Sequence, residues 1–342
     1  MNNITIVGDI HLGKPFPFTS TKTAARWAQY KKDLLIWFTE EYKGSIIQAG
    51  DLFDSFSCNS ETFVEGYMFA ASCEVVLSGN HDVSNNTEKE SAVNLLRKTG
   101  CTIAWEQPYF FETESTKYTL LPHQLTQEKF DTMLASAKNF PNTEKYNILV
   151  LHCNFGDQPG TETENYLRPN VAAHLMSDEH GGHAMKHFDA IISGHEHNYR
   201  EPMIGVTMLG SVLPMSFGEM TDKFISVDGT KECVWPVDGR FRSLDYKDFL
   251  AYPLDAPLQF IEITGTVDIG ETIAINSRIA EWYKTSETLI AIKPNTRSLK
   301  AETDVIMDED GPKLHWVEKI ADSLSADAQE VFKQLLEESN EA

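Results

Sequence analysis

No run of about 18 apolar residues occurs anywhere in the sequence, which argues against a membrane-spanning helix. The N-terminus lacks a basic region, an apolar signal core and a cleavage site; Met1 to Asp9 reads as a strand entering a polar motif, so secretion is not expected. Cysteine is sparse. Cys58, Cys73, Cys101, Cys153 and Cys233 are odd in number and scattered, with no C-x-x-C pair, which excludes a zinc ribbon and a disulfide framework. A soluble chain in a reducing cytoplasm is the expectation. Positive charge is also lacking: 29 Lys and Arg stand against 51 Asp and Glu, for a net charge of −22. Broad electrostatic binding of nucleic acid is thereby excluded, because that binding rests on Lys and Arg neutralising phosphates. Any contact with DNA must be local, and bound divalent ions would offset part of the negative charge there. Internal repeats and low-complexity tracts are absent.

What is present suffices for a substantial core: 342 residues, 41% hydrophobic and 11% aromatic, the size of one large domain with a smaller appendage. The first two-thirds alternates short β-like runs with helical stretches, the pattern of a layered α/β fold. Ile4 to Val7, Ser45 to Gln48, Glu74 to Leu77, Ile148 to Leu151 and Ala190 to Ile192 read as buried strands. Helices are expected over Thr23 to Tyr42, with Trp27, Tyr30, Leu34, Leu35 and Phe38 at helical spacing, and over Thr126 to Lys138. From about Phe241 the pattern changes to a small β-α-β cap, with strands at Gln259 to Gly265 and Thr288 to Lys293 around a helix from Glu271 to Trp282. Asp304 to Pro312 reads as an acidic linker before a C-terminal amphipathic helix capped by Ser325. The expected divisions are 1–240, 241–303 and 304–342.

Five polar clusters follow in order, each at a strand end: Gly8-Asp9-Ile10-His11, Gly50-Asp51-Leu52-Phe53-Asp54, Gly79-Asn80-His81-Asp82, Leu151-His152 and Gly194-His195-Glu196-His197. Ligand sites of open α/β sheets lie beyond such carboxyl ends. Residues two apart on an extended segment point the same way, so Asp9 with His11, and His195 with His197, can each converge. Carboxylate and amide oxygens mixed with imidazoles, without thiolates, suit Mn²⁺, Fe or Zn better than Ca²⁺, while Mg²⁺ prefers fewer nitrogens.

The order D-x-H, G-D-x-x-D, G-N-H-D, H, G-H-x-H, running from Ile4 to Asn198, resembles the calcineurin-like metallophosphoesterase superfamily. The resemblance implies a layered α/β fold, a β-sandwich flanked by helices. It also implies two divalent ions, with Mn the first choice and Mg, Fe or Zn compatible. Asp9, His11, Asp51 and His197 would hold one ion; Asp51 would bridge to a second, completed by Asn80, His152 and His195. His81 would act as general acid or charge stabiliser at the leaving oxygen, with Asp54 orienting its ring. Two ions about 3.5–4 Å apart stabilise both the attacking and the leaving oxygen of a phosphoryl transfer.

Gly8 to Gly13, G-D-L-F-D, and the segment Gly210-Ser211-Val212-Leu213-Pro214-Met215-Ser216-Phe217-Gly218-Glu219 resemble the SbcD branch, the DNA repair nucleases of the meiotic-recombination-eleven type. Val212 departs from that branch, where proline is usual, and so does Cys153 after His152; neither position is a metal ligand. The length and small cap are similar to phage versions, which would place the chain in the host cytoplasm. The branch implies an Mn-dependent DNA exonuclease and endonuclease acting on duplex ends and single strands, partnered by an SbcC-type coiled-coil ATPase. It also implies a homodimer, for which the stretch with Phe56, Phe63, Tyr67 and Phe69 is the candidate, although such a run also suits a core. The C-terminal helix would grip the ATPase or pack on its own domain. A metal-dependent phosphatase, or a cyclic-nucleotide or dinucleotide phosphodiesterase, is the alternative; a scaffold that has lost its metals is a third reading, opposed by the full ligand set.

Other residues get plainer readings. Lys14, Arg168 and Arg200 lie near motif loops and are candidate phosphate contacts, whereas Arg26, Lys31 and Lys32 read as a solvated helix face. His123, His174, His180, His183, His187 and His315 are given no role, His180-Gly181-Gly182-His183 being read as a surface loop. Cys153 is a small buried hydrophobe.

Overall fold

The computed structural model describes residues 4–43, 45–83, 91–141, 144–156, 164–176, 187–219, 222–228, 230–235 and 239–298. The acidic linker, the C-terminal helix, the His180 to His183 loop and His315 lie outside them. In chain order the elements begin with β1 (Thr5–Val7), α1 (Thr21–Tyr42), β2 (Ile46–Gln48), α2 (Ser60–Ser72), β3 (Val75–Leu77), α3 (Ala92–Lys98) and β4 (Ile103–Ala104). Then come β5 (Tyr109–Glu112), β6 (Thr116–Leu121), α4 (Gln127–Ala137), β7 (Tyr146–His152), β8 (Asn154–Phe155), β9 (Tyr166–Leu167), α5 (Pro169–Leu175), β10 (Ala190–Gly194), β11 (Arg200–Met203) and β12 (Val206–Met208). The last are β13 (Lys223–Val227), β14 (Thr230–Trp235), β15 (Phe241–Asp245), α6 (Tyr246–Ala251), β16 (Phe260–Val267), α7 (Ile269–Thr285) and β17 (Ala291–Ser298).

Two six-stranded sheets carry the fold, ordered β14-β13-β1-β2-β3-β4 and β11-β12-β10-β7-β6-β5. Strands β1 to β4 are parallel, as are β6, β7, β10 and β12. Side-chain alternation shows why the strand sequences are apolar throughout rather than every second residue. Ile6, Ile47, Val75 and Leu77 share one buried cluster with Leu120, Ile148, Val150 and Ile192 of the other sheet, so these faces meet as a sandwich. The opposite faces are covered by helices: Val7, Ile46 and Val76 pack with α1, α2 and α3, and Leu149 and Leu151 with α4 and α5. Strands buried on both faces lose the polar alternation of a half-exposed sheet.

Helix α1 starts at a capping box, Ser20 with Thr23, and stops at Lys43 in a left-handed conformation. Its buried stripe is Thr23, Trp27, Lys31, Leu35 and Phe38. A lysine therefore occupies a core position.

The chain divides into two compact units. The first comprises Met1–Arg242, Pro257–Glu262 and Ser286–Lys293; the second comprises Ser243–Ala256, Ile263–Thr285 and Pro294–Ala342. In the second, Phe249 of α6 stacks on Trp282 of α7, and Arg278 donates to the Tyr252 carbonyl at 2.7 Å. The expected strand-helix-strand pattern is present as β16, α7 and β17, with β15 and α6 preceding it.

Candidate metal centre

Each polar cluster follows the carboxyl end of a parallel strand, β1, β2 and β3 in one sheet and β7 and β10 in the other, so the sandwich delivers all five to one edge. Directly after β1 and β2 the two loops run side by side. His11 N and Ile10 N donate to Asp51 O at 3.0 and 3.1 Å, Leu12 N donates to Leu52 O at 2.8 Å, and Asp54 N to Leu12 O at 3.0 Å. His11, Asp51 and His195 have φ of 48°, 54° and 82°, a region that non-glycine residues rarely adopt and that clusters at functional sites. Gly50, at φ 99°, cannot be replaced without collision: a Cβ there would stand 2.1 Å from His152 Nδ1. Gly79 is equally confined, with Asp51 Oδ1 at 2.1 Å from such a Cβ.

Of three groups of potential metal ligands in which the side chains converge, one, His11 with Asp51 and His81, links the other two. Asp9, His11 and His197 form one, with His11 Nε2 only 3.1 Å from His197 Nε2. Asp51, His152 and His195 form the other, joined by Asn80: its Oδ1 lies 3.0 Å from His152 Nε2 and 2.8 Å from His195 Nδ1. Asp51 Oδ2 reaches both, 3.7 Å from His11 Nε2 and 3.2 Å from His152 Nε2. Because His152 Nδ1 is engaged by the Ala49 carbonyl at 2.9 Å, its neutral form presents the Nε2 lone pair to Asn80 and Asp51 oxygens, which are themselves acceptors. Lone pairs aimed at one another in a buried place are what a cation satisfies, so the residues fit a divalent ion.

The family profile of calcineurin-like phosphoesterases matches residues 3–199, more than half of the chain. The chain belongs to that family. No curated protein matches it at a significant level. Among solved structures, a phosphopantetheinyl hydrolase from Mycobacterium tuberculosis is similar over 64% of this chain and 90% of that one, at 13% identity and a TM-score of 0.39. The layered fold expected from the sequence is thus the fold of this phosphoesterase, and its activity is metal-dependent phosphoester hydrolysis.

Burial sets the electrostatics of the phosphoesterase centre. It raises Asp9 to about 6, helped by the charge of Asp51, and lowers His11 to about 4 and His195 to about 3. Burial would also lower His152, but the carboxylates of Asp51 and Asp9 outweigh it and push the ring up to about 9. For Asp51 burial works upward and loses to His152, leaving its carboxyl well below the usual range. The opposite shifts of Asp51 and His152 favour a buried ion pair, in which a bound metal would take the place of the imidazole proton.

His81 Nδ1 lies 2.7 Å from the Asp54 main-chain carbonyl, and its backbone N–H donates to Asp51 Oδ1 at 2.9 Å. Asp54 thus holds that ring through its main-chain carbonyl, and its carboxylate faces elsewhere. It stands 3.2 Å from His11 Nδ1 and 3.1 Å from Lys14 Nζ, because the loop hydrogen-bonded to Leu12 turns it toward the neighbouring motif. The solvated-face reading of Lys31 and Arg26 fails. Lys31 is buried, and its Nζ donates to the carbonyls of His11 at 2.7 Å and Lys14 at 3.1 Å; Arg26 donates to the carbonyls of Ser286 and Leu289 at 3.2 and 3.0 Å. Lys32 is exposed as expected. Of the three candidate phosphate contacts, Lys14 pairs with Asp54, Arg168 with Asp131 at 3.3 Å, and Arg200 with Glu196 at 2.6 Å. Cys153 is buried as expected, against the Ser193 hydroxyl.

Two acidic residues went unassigned in the sequence. Glu219 ends the Gly210 to Glu219 segment, and its Oε1 receives the His197 Nδ1 proton at 2.8 Å. Asp82 ends the G-N-H-D motif and accepts from Leu52 N, Phe53 N and Gly79 N at 3.3, 3.0 and 2.9 Å. Their place inside quoted motifs was the available signal. The same segment runs behind the group of Asp9, His11 and His197, with Ser211 N bonded to His197 O at 3.2 Å and Val212 N to Asp9 O at 3.0 Å.

Proposed function

We propose that this phosphoesterase is an Mn²⁺-dependent DNA exonuclease and endonuclease of the SbcD type, working with an SbcC-type coiled-coil ATPase. The observation that carries the reading is the SbcD-like segment Gly210 to Glu219, bonded directly to the Asp9 and His197 loops beside two ligand groups that Asp51 Oδ2 faces. In this reading Asp9, His11, Asp51 and His197 hold one ion, and Asp51, Asn80, His152 and His195 hold the other. When bound, the ions supply Lewis acidity to the phosphoryl oxygens and activate water. His81 acts at the leaving oxygen: with Nδ1 held by the Asp54 carbonyl, Nε2 is the ring nitrogen left to deliver a proton. Asp54 positions His81 through its carbonyl, while its carboxylate lies 3.2 Å from His11 Nδ1.

A second copy of the chain is the proposed neighbour for α1 and α2. Ile36, Trp37, Val64, Tyr67 and Met68 are large apolar side chains exposed on these helices, whereas Phe69 is core. Among the described residues no helix is long and apolar enough to cross a membrane. The deciding experiment offers end-labelled duplex DNA, single-stranded DNA, a cyclic dinucleotide and p-nitrophenyl phosphate to the Mn²⁺-loaded chain. DNA cleavage with negligible monoester turnover supports the nuclease; preference for the monoester or the cyclic dinucleotide would replace it with a phosphatase or cyclic-nucleotide phosphodiesterase. Copurification of a coiled-coil ATPase tests the partner.

A further inference from the structure

The two ligand groups are supported differently. Behind the first ion's histidines stand carboxylates, Glu219 at His197 Nδ1 and Asp54 at His11 Nδ1, at 2.8 and 3.2 Å. Behind His152 stands a main-chain carbonyl, Ala49 O. The first group is also fixed at its backbone by two buried ammoniums. Lys223 Nζ donates to His197 O at 2.6 Å and Lys31 Nζ to His11 O at 2.7 Å. Each ammonium is offset by an acid, Lys223 by Glu219 at 3.4 Å and Lys31 by the charge of Asp54.

Glu219 is itself held from several sides. Its Oε2 accepts from Met215 N at 3.0 Å and lies 3.4 Å from Lys223 Nζ, while Lys223 Nζ also reaches Ser211 Oγ at 3.1 Å. Lys223 is 1% exposed, a burial that a lysine tolerates only when paired. A carboxylate accepting the outer N–H of a ligand histidine fixes the tautomer and raises ligand basicity. Here that fixes His197 with its Nε2 lone pair facing His11 Nε2.

We infer that Glu219, seated by Lys223, is a positioning residue for His197 and makes the centre asymmetric, so that the ion of Asp9, His11 and His197 binds more tightly and first. The inference rests on the two-ion reading above. It goes further by giving a role to a buried Glu-Lys pair outside the ligand set and by ordering the two ions.

The test is calorimetric Mn²⁺ titration of the metal-free full chain, with the Mn²⁺ electron paramagnetic resonance spectrum distinguishing a lone ion from a coupled pair. Wild type is expected to bind in two steps, and His197→Ala to remove the tighter one. Glu219→Ala should weaken the tighter step about 10–100-fold and leave the weaker step in place. Glu219→Gln, which keeps an acceptor oxygen, should fall between Ala and wild type. In the His197→Ala background, Glu219→Ala should cost nothing further, because its effect passes through that ring. Several outcomes overturn the inference while sparing the ligand set: His197→Ala removing the weaker step, Glu219→Ala leaving both steps intact, or an equal cost with and without His197. If the Ala variant fails to fold, the Gln variant decides, and a tighter step unchanged from wild type overturns the inference. Two unaltered steps in His197→Ala would instead sink the two-ion assignment itself.

Discussion

Asp82 offers a sharp test of how the centre is built, because its carboxylate is the buried acceptor for three main-chain N–H groups from two motif loops. Asp82→Ala strands Leu52 N, Phe53 N and Gly79 N away from water. An unsatisfied buried donor costs about 1–3 kcal/mol, and with partial relaxation the variant should lose about 3–6 kcal/mol, a large share of a typical domain's stability. Asp82→Asn keeps one acceptor, able to serve the two N–H groups that share Oδ2, and should lose about 1–3 kcal/mol. Urea unfolding of the metal-free chain at pH 7 measures both. The pH dependence gives a second handle. Burial and the charge of Asp51 raise Asp82 to about 7, so the folded state holds this proton more tightly than the unfolded state does. Stability contributed by this group is therefore greatest at and below pH 3.8 and declines as pH rises toward 7. The Asn variant has no such proton to lose, and its stability relative to wild type should improve across that window. An Ala variant within about 1 kcal/mol of wild type would refute the bridging role; an Asn variant that worsens with rising pH would refute the electrostatics.

Asp51→Asn should abolish hydrolysis and lower bound metal, because Asp51 Oδ2 faces ligand histidines of both groups; two metals and full turnover in the folded variant, by elemental analysis and assay, would remove it as the bridge. His81→Asn should cost about 10²–10⁴-fold on DNA with both metals bound, and less on bis-p-nitrophenyl phosphate, whose leaving group needs little protonation; equal losses would deny it the proton. His152 is raised to about 9 by Asp51 and Asp9 against the pull of burial, so Mn²⁺ must displace its proton. Affinity should climb from pH 6 to about 9 with proton release, seen by calorimetry in buffers of different ionisation heat, and a flat profile would contradict this. Chelation should suppress DNA binding as well as cleavage in a filter or anisotropy assay; undiminished binding without metal would show a separate electrostatic site.

The convergence of the motif residues was legible because each motif couples a strand end to residues of metal-binding type, and parallel strands of a sandwich bring such ends to one edge. The strands were legible for a related reason. Runs such as Ile148 to Leu151 are apolar at every position, and the structure buries both of their faces. What stayed hidden were the charged residues whose partners are main-chain atoms. Nothing in composition marks Lys31 as core, although its place between Trp27 and Leu35 on the buried stripe of α1 could have shown it. Asp54 was legible only in part: sequence does not say whether a residue holds a neighbour through its side chain or its carbonyl, and here the carbonyl holds the His81 ring while the carboxylate faces His11. Glu219 contacts His197 across 22 residues, through a loop path that no local periodicity encodes.

The net charge of −22 and the polyanionic substrate proposed above would be reconciled by where the cations near the motifs point. Lys31 and Lys223 turn inward to the carbonyls of His11 and His197, while Lys14 and Arg200 are tied to Asp54 and Glu196. Lys31 and Lys223 brace loops that carry candidate ligands, and Lys14 and Arg200 are already paired with carboxylates. In an acidic chain, attraction for a phosphodiester then falls on the ions, often the largest local charges in such a site. The positive charge of Lys31 and Lys223 is used one layer deeper, holding the loops that carry the candidate ligands. Occupancy of the centre would thus control substrate capture and hydrolysis together, and an enzyme without metal would be a weak DNA binder as well as an inactive one.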